Sequence, residues 1–261
     1  MAGSASDDRY TVRRPFLDRR TGLTLPAGAP FVDHTRYAQM LRDAGIIDPA
    51  TVPPARPQLD IFPPDRWVDD TVAIIAGGAS LKSEKHLPLL DGVSTIVVND
   101  AYRLKPDADI LYAADYAWWE HHGYVPEFGG QRWTQHRGTT EWAARARERG
   151  LFVVESRMDC TSLSMDPAVI HTGANSAFQA LNLAVLGGAR RVLLLGVDLK
   201  GPHWFGDHPT GLNRTSPYPV FRASFEAVAP QLAEIGVEVV NCSRSSALQC
   251  FPKMTLRAAL K

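Results

Sequence analysis

The sequence predicts an α/β protein with a doubly wound, mainly parallel sheet flanked by helices, and two observations carry that reading. From Trp67 onward, short apolar runs recur: Val72 to Ala76, Thr95 to Val98, Asp109 to Ala113, Leu151 to Val154, Arg191 to Leu195 and Val237 to Val240. Continuous apolar runs of this length suit strands buried on both faces, as in a parallel sheet covered by helices. The segments before the last two runs read as helices that stop at glycine just ahead of a strand. Asn175 to Leu186 ends at Gly187-Gly188, and Phe221 to Ile235, amphipathic despite Pro230, ends at Gly236.

Residues 1–66 read differently. Prolines at 15, 26, 30, 49, 53, 54, 57, 63 and 64 exclude long regular elements over most of the stretch. One short helix is expected from Thr35 to Ala44, with Tyr37, Met40 and Leu41 on one side and Gly45 as its cap. The expectation is a Pro-rich N-terminal arm over 1–66, packed on the main domain or serving as a homo-oligomer contact, followed by one domain over 67–261. In that domain the sheet is expected to be Rossmann-like, with ligands outside the carboxyl ends of the strands.

Composition narrows the function. The 261 residues carry 28 Lys+Arg against 28 Asp+Glu, which argues against a globally basic nucleic-acid grip. The 45% apolar fraction suits a chain that buries a sizeable core. Three cysteines, Cys160, Cys242 and Cys250, form no CxxC pair and favour a reduced compartment over a disulfide framework. The N-terminus lacks the apolar core of a signal peptide, and no run approaches the roughly 18 apolar residues of a membrane span. A cytoplasmic location is expected.

The chemistry is expected at the strand ends. Ile74 to Ser83 runs a strand into Gly77-Gly78, then Ser80; the glycines allow close backbone approach, and exposed N–H groups favour an anion. It matches neither a Walker loop nor GxGxxG. Asn99 and Asp115 end two further runs. Thr172, Asn175 and Ser176 stand where a helix begins, either as plain caps or as a seat for phosphate or ribose. The strand Arg191 to Leu195 delivers Gly196 and Asp198. Gly201 to Arg214 follows, a Gly/Pro-rich loop bearing His203, Trp204, Asp207 and His208 that suits a general base, or a weak divalent-metal signal. Ala114 to Tyr124 is aromatic, as core or as a stacking wall, with His121 and His122 expected at the surface.

In this order of motifs the chain resembles the bacterial sialyltransferases of glycosyltransferase family 42. It also resembles the broader group of motility-accessory-factor and pterin-pyrophosphokinase-like proteins. The closing NCSRSSALQCFPKMTL looks most like a phage-encoded branch of that group. The resemblance covers about residues 70 to 255. It implies a nucleotide-sugar-dependent glycosyltransferase with a CMP-sugar-like donor as substrate, no firm cofactor and no metal site. Nucleotide binding would fall to Gly77, Gly78, Ser80, Asn99, Asp115, Asn175 and Ser176. His208 or His203 would be the base on the acceptor hydroxyl, with Asp198 and Asp115 orienting hydroxyls. Gly77 stands where the family has Asn, and no Tyr lies between Asp198 and Tyr218, so Arg214 or Tyr218 would have to replace the phosphate partners. The alternatives are an ATP-dependent diphosphotransferase, needing Mg²⁺ on carboxylates such as Asp115, Asp198 or Asp207, and a non-catalytic phage accessory protein. The acceptor, whether sugar, protein or DNA base, stays open.

Overall fold

The structure, a computed structural model, describes residues 9–18, 23–32, 36–49, 59–83, 85–136, 140–209, 211–212 and 216–261. The chain divides into two compact units, Met1–Pro57 and Gln58–Lys261.

The first unit is a set of short strands. In chain order they are β1 (Arg9–Val12), β2 (Phe16–Asp18), β3 (Leu23–Leu25), β4 (Pro30–Val32), helix α1 (Arg36–Asp43) and β5 (Ile47–Pro49). β4, β1 and β5 pair antiparallel in that order, and β2 pairs with β3. Pro30 opens β4 and Pro49 closes β5, positions where a missing N–H is tolerated. Val12, Leu41 and Ile47 form a small core of their own. The helix expected at 35–44 is α1, stopped by Gly45 at φ +62°; Thr35, Pro53, Pro54 and Pro57 lie outside the described residues.

The boundary expected at residue 66 falls earlier. Asp60 N–H donates to Val153 O at 2.8 Å, Phe62 N–H donates to Pro167 O at 2.9 Å, and Phe62 is buried against Trp67 and Trp133. Residues 59–66 therefore belong to the second unit, joined by burial that the surrounding prolines conceal in the sequence.

That unit holds β6 (Thr71–Ile75), β7 (Ser94–Val98), β8 (Ile110–Tyr112), α2 (Tyr116–His121), β9 (Gln131–His136), α3 (Thr140–Glu148), β10 (Phe152–Arg157), β11 (Val169–His171), α4 (Ser176–Leu186), β12 (Arg191–Leu195), α5 (Tyr218–Glu234), β13 (Glu238–Asn241) and α6 (Leu256–Ala259). Eight strands form one sheet in the order β11-β10-β9-β8-β7-β6-β12-β13, every neighbour parallel. The strand period of two divides the core between its faces. Val72 and Ile74 of β6 join Phe178 and Leu181 of α4 and Phe225 of α5, while Ala73 and Ile75 join Trp119, Trp142 and Leu256 on the other side.

Winding starts at β6 and runs outward to β11. Helix α4 then returns the chain to β12, on the other flank of β6. The loops after β6 and β12 therefore part from a shared boundary, which opens a crevice at the carboxyl ends of the strands. Among the described residues no helix is long and apolar enough to cross a membrane.

Candidate functional site

A cleft of about 680 Å³ lies at these carboxyl ends. Of the residues expected to bind a ligand, Gly77, Gly78, Asn99, Asp115, Asn175 and Ser176 all line it. So do Asp198, His203 and His208. Ser80 does not.

The turn after β6 is held by the turn after β12. Ser80 donates to Asp198 twice, from its backbone N to Oδ2 at 2.8 Å and from Oγ to Oδ1 at 2.6 Å. Asp198 is buried, and both its carboxylate oxygens serve this clasp. The two glycines make room for it. A Cβ on Gly78 would come within 2.5 Å of Asp198 Cγ and Gly196 O, and one on Gly77 within 2.8 Å of His203 Nδ1. Gly196 sits at φ +67°, and a Cβ there would meet Leu81 Cδ1 at 2.6 Å and Ala76 O at 2.7 Å, so it too is required by the chain's own packing.

The histidine loop docks onto this turn. Trp204 N–H donates to Gly77 O at 3.0 Å, and His203 Nδ1 lies 3.2 Å from the same oxygen, which makes Nδ1 the protonated nitrogen of a neutral ring. Arg103 packs its guanidinium over Trp204 at 5.0 Å and over Phe205 at 5.4 Å. Beneath lies Asp100, buried, accepting from Trp118 Nε1 at 3.0 Å with Arg103 at 3.6 Å. His122 Nε2 and His208 Nδ1 approach the same carboxylate at 3.8 and 3.9 Å, beyond hydrogen-bond range. Both nitrogens are shut off from solvent and have no hydrogen-bond partner among the described residues.

His122 is thus no surface residue, contrary to the expectation; α2 turns it inward beside Trp118, while His121 stays exposed. Burial pushes the His203 imidazole below its ordinary value, and the nearby His208 adds to this. Burial likewise lowers His122, against the opposing pull of Asp100. Both rings are neutral at neutral pH.

Helix α4 begins with a true cap. Asn175 accepts from the N–H groups of Ala177 at 2.9 Å and Phe178 at 3.2 Å. The Ser176 side chain lines the cleft with no hydrogen bond to another described residue. Tyr112 of β8 donates to Gln179 Oε1 at 2.6 Å, and Gln179 Nε2 donates to Thr172 O at 3.0 Å, which ties the helix start to the sheet.

Several lining residues escaped the sequence reading. Lys200 is an exposed cation in the loop after β12, and Gln135 is a buried amide at the end of β9. The aromatic stretch splits: Trp119 is core, whereas Tyr116 and Trp118 line the cleft. Tyr218 lines it too, its hydroxyl donating to Gly201 O at 2.7 Å; Arg214 lies outside the described residues. Among the described residues no three His, Cys, Asp or Glu side chains converge to hold a metal ion. No protein-family model matches the chain, and no curated protein matches it.

Proposed function

We propose that the second unit is a nucleotide-sugar-dependent transferase of the glycosyltransferase kind, with a Rossmann-like nucleotide site at the β6/β12 reversal. The observation that carries this reading is the convergence of Gly77–Gly78, Asn99, Asp115, the start of α4, His203 and His208 on one cleft at the sheet's carboxyl edge. A hydroxyl of the acceptor attacks the sugar's anomeric carbon, the bond from that carbon to the phosphate oxygen breaks, and the nucleotide leaves. His208 takes the hydroxyl proton. Asp100 stands 3.9 Å from its Nδ1, whereas burial lowers the basicity of the His203 imidazole. Lys200 meets the leaving phosphate, and the free N–H at Ser176 adds a donor.

The test is a thermal-shift and calorimetric screen of CMP, UDP, GDP and ATP, each with and without Mg²⁺. A true ligand at a hundred times its Kd stabilises the fold by about 2.7 kcal/mol. His208→Ala should then keep nucleotide affinity and lose about 10²–10⁴-fold in turnover. No stabilisation by any nucleotide sinks the proposal. Strict Mg²⁺ dependence with AMP release would replace it with diphosphate transfer.

A further inference from the structure

The loop over 201–209 meets the rest of its unit through one oxygen and one aromatic wall. Trp204 N–H and His203 Nδ1 both donate to Gly77 O, at 3.0 and 3.2 Å, and His203 forms an isolated antiparallel bridge with Gly78. The loop's rings pack on one another. Phe205 stacks on His203 at 5.0 Å, and His208 stands edge-on to both, at 4.7 and 5.1 Å. Arg103, at the end of the turn Asn99–Arg103 that follows β7, then covers Trp204 and Phe205.

The charges across this contact are uneven. The wall supplies a buried carboxylate, Asp100, and a fixed cation, Arg103, 3.6 Å apart, so with every imidazole neutral the two offset each other. Three imidazoles stand about that pair: His122 on α2, and His203 and His208 on the loop. The other ionisable groups do not change the count. Tyr102 on the wall is uncharged, its phenol pushed up by burial, and His121 is exposed. Asp207 is exposed and rides on the loop, so its pull on His203 ties nothing to the wall. Lys200 at the loop's root is a further cation, and Asp198 is engaged by Ser80.

A proton on any of the three rings therefore leaves the contact with an excess of positive charge, and a second adds to it. Neither His122 nor His208 is within hydrogen-bond range of Asp100, so no bond in place offsets the added charge. The aromatic rings between these groups screen them less than water would. His203 and His208 ride on the loop, whereas Arg103 and His122 stay with the wall, so the repulsion acts across the docked face. Burial, with His208 adding to it, lowers the His203 imidazole, and burial lowers His122 against the pull of Asp100. Both directions are those of a docked state that resists the proton.

We infer that the 201–209 loop is an acid-released latch on the cleft: it stays docked while its imidazoles are neutral and leaves the Gly77 turn once they take up protons, carrying His203 and His208 out of the cleft wall. The docked rings bind protons less readily than free ones, so docking is complete above the ordinary value of 6.5 and weakens as the pH falls beneath it. The latch governs the cleft whatever ligand enters, and it stands apart from the nucleotide reading.

The test is residue-resolved hydrogen exchange on the full chain from about pH 7.5 to about pH 5, each rate taken relative to an unstructured amide at the same pH. The Trp204 amide reports docking, and the Ala76 amide, bonded to Leu195 O at 2.8 Å, reports the sheet. Protection at Trp204 should lie below that of Ala76, fall about tenfold or more toward about pH 5, and not respond to about 1 M urea, the mark of a local opening. His203→Asn combined with His208→Gln should keep Trp204 protected into acid. Arg103→Gln, at a half-exposed position, removes the fixed cation and should move the fall to lower pH, with melting temperature checking that each variant is folded. Three results overturn the latch. One is protection at Trp204 that rises in acid, which would mean that Asp100 draws a protonated ring inward. Another is exchange of Trp204 and Ala76 at one level, which would mean that the unit opens as a whole. The third is a fall left unmoved by either variant.

Discussion

Single residues at the β6 turn are constrained by the chain itself before any ligand enters. Gly78 cannot carry a side chain because Asp198 and the Gly196 carbonyl occupy the space, so Gly78→Ala must push the clasp apart. Forced overpacking of this kind costs about 1–3 kcal/mol, and urea unfolding should show that loss. Unchanged stability would mean that the turn moves freely. That a tight turn lies here was legible from Gly77-Gly78. Its reason was not, because Asp198 stands 118 residues from Ser80 and only the folded sheet brings them together. Asp115 was legible as a strand-end carboxylate. Gln135 was invisible, since a glutamine inside a polar stretch gives no hint that it is buried.

Elements with a strong period or firm punctuation were readable. Helix α4, with an Asn cap and a Gly-Gly stop, begins one residue inside the expected span. Strand β9 was missed because Gln131-Arg132-Trp133-Thr134-Gln135-His136 is polar, although Thr134 and Gln135 are buried in the sheet. Strand β11 was missed because Val169-Ile170-His171 holds only two apolar residues before a histidine, and α5 begins three residues before the expected Phe221. The link into β11 has no strand partner of its own and is pinned by amide side chains. Asn182 Oδ1 accepts from Ser164 N at 3.0 Å and His171 N at 2.9 Å, while its Nδ2 donates to Ser164 O at 2.9 Å. Gln231 of α5 makes the same two-way pairing with Leu163. Asn182→Leu strands three buried backbone groups and should cost about 3 kcal/mol or more, with faster amide exchange at Ser164 and His171 first. A loss under about 1 kcal/mol would show that water replaces the amide there.

At the scale of the whole molecule, the α/β class and the parallel sheet followed from the apolar runs, since a strand buried on both faces must be apolar throughout. The three-stranded sheet of the first unit did not, because three- and four-residue strands are too short to show a period. The protein as a whole also carries an acid sensitivity. His203 has its folded value lowered by burial from the ordinary 6.5, and His122 moves the same way for the same first reason. The unfolded chain therefore binds more protons than the folded one below that value. Stability is complete above about pH 6.5 and is lost as the pH falls beneath it. Melting temperature should hold between about pH 7.5 and 6.5 and drop toward about pH 5, and His203→Gln should flatten the drop. An equal drop in the variant would assign the sensitivity elsewhere.

The amide pins also bear on how the protein meets its own copies. β11 and β13 are the outermost strands, where backbone N–H groups ordinarily stand ready to recruit a foreign strand. At one rim the His171 N–H is taken by Asn182. At the other, the tail bridges Asn241 through Pro252 O and Met254 N. A crowded solution of this protein thus finds both rims partly occupied from within, and edge-to-edge growth into fibrils must first dislodge the chain's own side chains and tail.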